Sequence, residues 1–526
     1  MRNGAGAALL LLLVIVVVAL SIGSVRLDSA TSDEPAYIAT GMIKLAAGRL
    51  DYFRDEPPLM NSLSAAPLVI AGYRLEPFWN LESNHWAVGR RFLWHSGLDG
   101  HRMLFLARLP TIALFVALIA TMYWFVLRET QDPACAIAAA VLTGFCPNLM
   151  AHGRLATVDL AMSFFAFAAT ALFIVVIETG SVPAAIAMGV TSSAAILSKT
   201  SANILGPYFL ILLVAALITR TDRKTLLTRF GIAVLSAIVF AEMFILAEAR
   251  TWDVMRPFVE YAANLRAIHG WYSQGHTLPQ FLLGRFSTTG FPQYYFVAFL
   301  LKTTIPALLL LAIGLFRGPR SSVLGPRFTF FAVLLFVALF FTIAALGHLD
   351  LGIRYILPVY PFVYAAIGIG LRGPRPEARG LGFAVALLLL WHAGENVASY
   401  PNYISYFNEL IGSKRNADKF LIDSNLDWGQ DLRRLDLWCR DHRVSSITLH
   451  YFGGADPAYD LRSAKPLLLR GPGFGPLPKG YFALSRHLYR VSFAGLWPVD
   501  YDRYLAANHA RYVATVGGSI NVYAIE

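Results

Sequence analysis

The chain carries the stretch Ser32-Asp-Glu-Pro-Ala-Tyr37 directly after its first long apolar segment. That segment is apolar from Ala5 through Ile22, and at about 1.5 Å per helical residue it is long enough to cross a bilayer core of roughly 30 Å. Two adjacent carboxylates at the end of a membrane span are costly unless they meet water, a cation or a substrate. The same residues are also a good helix start, so a helix cap and a functional site stand as equal alternatives.

The composition is that of a membrane protein. Of the 526 residues, 56% are hydrophobic and 15% are charged, whereas a soluble domain has about 25% charged residues. Mean hydropathy is +0.54 and the pI is about 9.5. No region outside the apolar segments concentrates the basic residues, so we expect the lipid bilayer as a partner and no nucleic acid.

Runs of about twenty apolar residues predict an α-helical polytopic protein with about eleven transmembrane helices. The predicted spans are 5–25, 104–127, 134–150, 156–177, 183–198, 202–219, 230–249, 292–316, 328–347, 355–371 and 381–398. Lys and Arg in the short loops place the N-terminus in the cytoplasm and the C-terminal tail outside the cytoplasmic (inner) membrane.

Two of the predicted outer segments have structure of their own. The first outer loop, about 26–103, contains the short apolar stretch Leu59–Ala71, which predicts an interfacial helix. Residues 1–399 form the predicted membrane domain, and composition shifts at 400–526 to that of a small soluble α/β domain. Its predicted elements are a helix at 431–439 and strands at 447–452, 481–485, 511–516 and 520–525, the last two joined through Gly517-Gly518.

Ionisable residues cluster at span ends on the predicted outer side. The carboxylates are Asp33, Glu34 and Asp159, and the cations are Arg154, Lys199, Lys302 and Arg354. Cations bind phosphate, and a carboxylate can take a proton from an acceptor hydroxyl, so the mixture of signs predicts a site for an anionic, membrane-borne substrate. Ordinary loop charges and snorkelling side chains are the alternatives, and snorkelling is weakest for Lys302, which lies inside an apolar run.

The ordered set of motifs resembles the GT-C class of membrane glycosyltransferases, and within it the protein O-mannosyltransferase and aminoarabinose-transferase relatives. The resemblance covers about 1–400. It rests on Asp33-Glu34, Pro57-Pro58-Leu59, Arg154 to Asp159, Leu197-Ser198-Lys199, Leu301-Lys302-Thr303 and Arg354-Tyr355-Ile356-Leu357-Pro358. Such enzymes transfer a sugar from a polyprenyl-phosphate donor to a hydroxyl-bearing lipid, glycan or protein.

The resemblance implies roles for these residues. Asp33 would be the general base or a metal-associated carboxylate, Glu34 would support it, and Asp159 would be a second acidic residue. The implied phosphate-binding residues are Lys199, Arg354 and Tyr355, with Arg154 and Lys302 as further candidates.

One position departs from the pattern of these relatives. They usually carry a basic residue or His before Pro57, whereas this chain has Asp55-Glu56. Glu56 is therefore a candidate contact for a cation or an acceptor rather than for phosphate. His85 lies in the same loop. The histidines of this loop are compatible with a bound divalent metal, for which Asp33 and Glu34 are candidate ligands, but they supply no recognisable ligand set. No other cofactor is expected.

The tail contains a run of acids and amides around a Trp, at 423–431. Asp427 and Trp428 in this run are candidates for carbohydrate contact, and a turn followed by a helix cap is an equal alternative.

Two other classes of protein compete with the glycosyltransferase. A transporter or flippase of a lipid-linked or anionic solute would bind a similar ligand, but it usually shows paired half-repeats with broken helices at matching positions. The sequence shows no such symmetry. A non-catalytic scaffold would leave the charged span ends without a purpose.

Overall fold

The computed structural model describes residues 2–54, 56–74, 84–219, 222–273, 279–318, 324–347, 349–372, 379–469, 475–492 and 499–526. Asp55 lies outside these ranges.

Helices dominate the first four hundred residues. They are α1 (Arg2–Val25), α2 (Glu34–Ala47), α3 (Pro58–Ile70), α4 (His85–Trp94), α5 (Gly100–Thr130), α6 (Pro133–Gly144), α7 (Pro147–His152), α8 (Asp159–Thr179), α9 (Val182–Ser198), α10 (Leu205–Thr219), α11 (Arg223–Ala249), α12 (Arg256–Ser273), α13 (Tyr294–Lys302), α14 (Ile305–Arg317), α15 (Leu324–Leu346), α16 (Val359–Leu371) and α17 (Arg379–Ser399). A two-stranded hairpin, β1 (Gln280–Leu282) with β2 (Arg285–Ser287), follows α12.

Within the described ranges, six helices are long and apolar enough to cross a membrane: α1, α5, α8, α10 with the turn before it, α11 and α15. The chain is therefore a multi-pass membrane protein. Every one of the predicted spans is helical, but the count of about eleven is not confirmed, because α6, α9 and α16 are shorter apolar helices. A seventh crossing is formed if α13 and α14 count as one span.

The predicted span 292–316 is broken rather than continuous. The axes of α13 and α14 meet at 110°. Thr304 accepts a hydrogen bond from the Ala307 amide at 3.4 Å, and Pro306 lies in the first turn of α14, so the sequence itself restarts the helix. The Lys302 ammonium, at the end of α13, donates to the backbone carbonyls of Ile404 and Asn425 at 2.8 and 2.6 Å. These bonds tie the break to the chain that follows α17.

The first outer loop folds into α2, α3 and α4, which pack on one another. The predicted short helix is observed as α3, and its last residues are exposed, with Ile70 at 86%. Helix α4 crosses the start of α2 so closely that a Cβ at Gly89 would overlap the backbone of Pro35. The chain at 32–35 is thereby held between α4 and the rest of the molecule.

The C-terminal region forms the predicted small α/β unit. Its helices are α18 (Leu432–Asp441), α19 (Pro457–Asp460), α20 (Arg486–Val491) and α21 (Tyr501–Ala507). Its strands are β3 (Ser446–His450), β4 (Lys465–Leu468), β5 (Gly480–Ser485), β6 (Arg511–Val516) and β7 (Ile520–Ile525), in the sheet order β4-β3-β5-β7-β6. Strand β3 pairs parallel with β4 and β5, and the other pairs are antiparallel. All four predicted strands are present, and β4 was not predicted.

The segment between α17 and α18 packs with the membrane helices and also bonds to the C-terminal sheet and α20. Tyr403, Phe407, Leu426 and Trp428 are buried in the same apolar cluster as the helices α5 to α16. The backbone of the first loop bonds to this segment directly, since Ser32 N donates to Trp428 O at 2.9 Å. This segment therefore brings Trp428 against the stretch that carries Asp33.

Candidate functional site

Five side chains that are far apart in sequence meet next to α2. We call them the site cluster: Asp33, Asp159, Lys199, Arg354 and Tyr355. Each lies at a helix end. Asp33 precedes α2, Asp159 opens α8, Lys199 follows α9, and Arg354 and Tyr355 lie in the 3₁₀ turn Ile353–Ile356 before α16. Helix ends leave backbone and side-chain polar groups free to turn inward, so the fold gathers charges there.

Arg354 lies between the two carboxylates of the site cluster. Its Nη1 is 3.2 Å from Asp33 Oδ2 and 3.8 Å from Asp159 Oδ2. The turn that aims it follows Gly352, whose φ of 135° is in the region that favours glycine. A Cβ at this position would also overlap the Ser424 hydroxyl. The position of Arg354 therefore depends on a glycine two residues earlier.

Lys199 supplies the second cation of the site cluster. Its ammonium pairs with Asp159 and lies 4.7 Å from the centre of the Tyr355 ring. The Arg354 guanidinium is 5.0 Å from the same ring, so Tyr355 lies against both cations. Aromatic faces stabilise cations in partly dry surroundings. Two cations beside one aromatic ring form a surface suited to a phosphate.

Trp428 forms a second aromatic wall. The Arg354 guanidinium lies 4.3 Å from the centre of its ring, and the centre of the His152 ring lies 5.9 Å from that of Trp428. Trp428 is buried, so it reaches the site cluster from the interior rather than from the surface. Its observed contact is with Arg354, and its predicted contact with carbohydrate stays a prediction.

Asp33 occupies the N-cap position of α2 but does not cap it. Its side chain makes no capping hydrogen bond and faces Arg354 instead. The side chain is 17% exposed, whereas that of Asp159 is fully buried. Withdrawal from water raises the pKa of Asp33 above its usual value, even though Arg354 acts in the opposite direction. A carboxylate with a raised pKa and an open side has the properties of a general base.

Glu56 lies at the edge of the site cluster, where Tyr37 donates to its Oε1 at 3.5 Å. Burial raises the pKa of Glu56 to about 7, with Lys199 opposing and Asp159 reinforcing the shift. The electrostatic coupling to these two residues places Glu56 beside the site. Its predicted role as a contact for acceptor or cation stays a prediction.

Several polar atoms in and beside the site cluster have unused bonding capacity. In the part of the chain that the structure describes, Asp159 Oδ2, Arg354 Nε and His152 Nδ1 are buried and make no hydrogen bond. Buried polar atoms are normally paired, and exceptions call for an explanation. A ligand that offers both acceptors and a hydroxyl would satisfy them.

Glu34 does not join the site cluster, although it adjoins Asp33. Its carboxylate accepts from Arg108 at 2.7 and 2.8 Å, from Thr31 N at 2.9 Å and from Ala156 N at 2.8 Å. Both side chains are fully buried. Arg108 and these amides hold the pKa of Glu34 below its usual value against the effect of burial. Glu34 is a structural anion that joins the first loop to α5.

Arg154 likewise pairs away from the site cluster. It contacts Asp28, which also pairs with Arg434 of α18, and its guanidinium lies 5.4 Å from the centre of the Tyr403 ring. Together with the pair formed by Glu34 and Arg108, these residues make up what we call the anchor network: Asp28, Glu34, Arg108, Arg154 and Arg434. The anchor network fastens the first loop to α5, to the chain before α8 and to the C-terminal unit.

Two further predicted site residues have partners outside the site cluster. Lys302 is held by the two carbonyls already described and lies 4.5 Å from the centre of the Phe407 ring. The ring of His85 contacts the rings of Phe53 and Trp86 in tilted arrangements, each at 3.8 Å between ring centres, and burial lowers the pKa of His85 to about 4. These contacts tie Lys302 to the chain after α17 and His85 to the first outer loop.

Asp427 lies in the run of acids and amides beside Trp428. It accepts from the Ser485 hydroxyl and from the amides of Gly429 at 3.1 Å and His487 at 3.3 Å, and burial raises its pKa to about 7. Asp427 therefore ties its loop to the sheet.

These residues offer little support for a bound metal ion. Within the described ranges no group of three metal-ligating side chains comes together. The carboxylates of Asp33 and Glu34 face different arginines and are not a ligand pair. Lys199 and Arg354 would in addition repel a cation from the site cluster. The metal stays an untested prediction.

Comparison with known proteins agrees with this architecture. The family model described as dolichyl-phosphate-mannose-protein mannosyltransferase matches residues 99–246. The crystal structure of ArnT from Cupriavidus metallidurans in the apo state is similar at 13% identity and a TM-score of 0.54, covering 99% of this chain and 98% of that one. This chain has the fold of the GT-C membrane glycosyltransferases. The predicted resemblance is confirmed.

A second structure of the same ArnT, bound to undecaprenyl phosphate, matches with 13% identity and a TM-score of 0.50, covering 98% of this chain and 97% of that one. No curated protein matches the sequence.

Sequence reasoning overlooked three residues that the structure makes important. Arg108 lies inside a predicted span, and an ionisable residue at such a place is by itself a signal. Tyr37 and His152 carry no comparable signal, because a single Tyr or His near a span end is common. Only the folded chain shows that Tyr37 reaches Glu56 and that His152 lies against Trp428.

Proposed function

We propose that the chain is a membrane glycosyltransferase that moves a hexosyl or pentosyl group from a polyprenyl-phosphate donor to a hydroxyl on a lipid, glycan or protein. The observation that carries the proposal is the position of Arg354 between two carboxylates, with Lys199 beside it and an unbonded Nε. Phosphate-binding cations and a candidate base thus lie within a few ångströms of each other. The fold and the undecaprenyl phosphate in the related ArnT structure support a lipid-phosphate donor.

In the proposed reaction Arg354 and Lys199 hold the phosphate of the donor. Arg354 Nε can donate to a phosphate oxygen while Nη1 stays with Asp33, because a guanidinium offers five donors in a fixed fork. The two cations stabilise the negative charge that grows on the phosphate as the bond to the sugar weakens. A phosphate leaves without being protonated, so the site needs cations there rather than an acid.

Asp33 is the proposed base. The oxygen of the acceptor hydroxyl bonds to the anomeric carbon, the bond from that carbon to the phosphate oxygen breaks, and its electron pair leaves with the lipid phosphate. The hydroxyl proton passes to Asp33, whose raised pKa favours taking it. Asp159 keeps Lys199 and Arg354 in place.

The reaction is proposed to take place at the outer face of the cytoplasmic membrane, with the N-terminus inside and the C-terminal unit outside. Basic loops on the opposite side support this orientation. The segment between α17 and α18 supports Arg354 through Trp428, and Glu56 with Tyr37 marks the side from which an acceptor can approach.

The test uses purified full-length protein, a radiolabelled polyprenyl-phosphate sugar and a panel of hydroxyl acceptors. The variant Lys199→Gln is compared with wild type and with the control Lys224→Gln, which removes an exposed lysine in the first turn of α11. We expect transfer by wild type and control and a loss of at least tenfold in Lys199→Gln. Equal transfer by all three would contradict the phosphate role of Lys199.

A transporter is the second candidate, because the break between α13 and α14 is a feature of transporters. The same donor enclosed in vesicles separates the two functions. Movement of intact donor across the bilayer, with no transfer to any acceptor, would overturn the glycosyltransferase.

A further inference from the structure

A cavity of about 300 Å³ lies apart from the site cluster, between the end of α1, the start of α5 and helix α18. We call it the arginine pocket. The residues that define it are Arg26, Arg102, Arg108 and Arg433, with Val25, Leu104 and Phe105 as its apolar wall. The proposed glycosyl transfer uses none of these residues.

The arginine pocket has an excess of positive charge. Arg108 is paired with Glu34, but in the described part of the chain Arg26, Arg102 and Arg433 have no carboxylate within ion-pair distance. Among the described residues that line the pocket, only Asp99 carries a carboxylate, so the four arginines still leave an excess of positive charge. Asp99 caps α5 through the Arg102 amide at 3.1 Å, and His101 Nε2 is 2.7 Å from Asp460.

The excess of positive charge acts on the side chain of Arg433. Burial lowers its pKa, and Arg108, Arg462 and Arg434 lower it further, while Asp460 acts in the opposite direction. Cations held together without counter-charges repel one another, and the repulsion is relieved when an anion binds between them.

The arginine pocket lies at the level where two spans enter the membrane. Val25 is the last residue of α1 and Gly100 the first of α5, and both helices are long and apolar enough to cross. Arg26 lies 6.0 Å from the centre of the Phe105 ring, so a charged rim stands directly above an apolar wall. This arrangement fits a molecule that carries a phosphate at one end and hydrocarbon at the other.

We infer that the arginine pocket binds a phosphate group, of the kind that the headgroup of an anionic lipid carries. Arginine is suited to this because its planar fork bonds phosphate oxygens bidentately. The bound phosphate would bridge Arg26 and Arg102 of the membrane part to Arg433 of the C-terminal unit. Arg433 N already bonds Ser29 Oγ at 2.8 Å, so the bridge would tighten the contact between the first loop and α18.

The inference is independent of the proposed sugar transfer, because its test measures binding. Thermal unfolding of the detergent-purified full chain is followed while phosphatidylglycerol, phosphatidylcholine or inorganic phosphate is titrated. The variant Arg26→Gln/Arg102→Gln removes two exposed cations of the pocket, and the control Arg440→Gln/Arg503→Gln removes two exposed cations elsewhere.

We expect phosphatidylglycerol to raise the unfolding temperature of wild type and control, with an apparent affinity at least about tenfold weaker in Arg26→Gln/Arg102→Gln. A response to phosphatidylglycerol alone identifies a lipid headgroup as the source, and an equal response to inorganic phosphate identifies free phosphate. The inference is overturned if neither phosphate source shifts wild type, if phosphatidylcholine acts as strongly as phosphatidylglycerol, or if the pocket variant responds like the control.

Discussion

The site cluster and the Glu34–Arg108 pair of the anchor network are both built around an arginine and a carboxylate, yet they differ in how completely their charges are partnered. Glu34 accepts hydrogen bonds from Arg108, Thr31 and Ala156, and neither the Glu34 nor the Arg108 side chain has exposed surface. In the site cluster, Asp159 Oδ2 and Arg354 Nε make no hydrogen bond to the described residues, and Asp33 is 17% exposed. Complete partnering indicates a structural role, and incomplete partnering indicates capacity for a ligand.

The largest effect on stability is expected from breaking the anchor network at Arg108. In Arg108→Met, Glu34 stays buried without its counter-charge, which costs about 3–5 kcal/mol. Thermal unfolding of the purified protein measures the loss, and Glu34→Gln/Arg108→Met should recover part of it. The control Arg128→Met breaks a partly exposed pair with Glu178, which is worth about 0–1 kcal/mol. An Arg108 variant as stable as this control would refute the structural role of the network.

The site cluster should respond differently, with a loss of transfer by each folded molecule that exceeds any loss of stability. Removing one group that stabilises charge in a transition state costs about 10²–10³ in kcat. We therefore expect this loss for Arg354→Gln, measured as sugar transfer per folded molecule. Arg285→Gln, at an exposed position in β2, serves as the control. Transfer within a few-fold of wild type would remove Arg354 from the reaction.

The turn that aims Arg354 should be sensitive to a single methyl group. Gly352→Ala places a Cβ at φ 135° and against the Ser424 hydroxyl, and a residue in such a region costs about 1–3 kcal/mol. Gly352→Ala/Ser424→Ala removes the overlap but not the backbone strain, so the free energy of unfolding should return only part of the way to the wild-type value. Gly231→Ala in α11, where a Cβ meets nothing within 4 Å, should be neutral or stabilising. Full recovery in the double variant would show that backbone strain at Gly352 is unimportant.

A further effect concerns pH. Burial raises the pKa of Glu56 from its usual 4.5 to about 7, so between these values the folded protein binds more protons than the unfolded chain. The contribution of Glu56 to stability therefore falls as pH rises from about 4.5 to about 7 and is constant above that. The variant Glu56→Gln should reduce this dependence of the free energy of unfolding on pH, measured from pH 4.5 to about 7. An unchanged slope would show that Glu56 titrates like an exposed glutamate.

The sequence allowed much of the fold to be predicted, because the signals were local. Apolar runs marked the helices that are long and apolar enough to cross the membrane, although not α2, α4 or α12, and alternation with Gly517-Gly518 marked the hairpin of β6 and β7. The break at Lys302 was not predicted, because the sequence does not distinguish a proline in the first turn of a new helix, such as Pro306, from a proline inside a continuous span.

The site was only partly predictable, because partner choice is a property of the fold. Asp33 and Glu34 are adjacent and chemically alike, and nothing local says that one will meet Arg354 and the other Arg108. The partner of Glu34 is 74 residues away, and that of Asp33 is farther still. For the same reason Arg154 was predicted as a candidate phosphate ligand, although in the structure it pairs with Asp28.

The central claim is that Asp33 and Glu34 have separate roles, and one paired measurement tests it directly. Asp33→Asn and Glu34→Gln are compared for unfolding temperature and for transfer per folded molecule from a radiolabelled polyprenyl-phosphate sugar. We expect Asp33→Asn to unfold close to the wild-type temperature and to lose transfer, and Glu34→Gln to unfold at a clearly lower temperature while its folded fraction still transfers sugar. Wild-type transfer by Asp33→Asn would contradict the account.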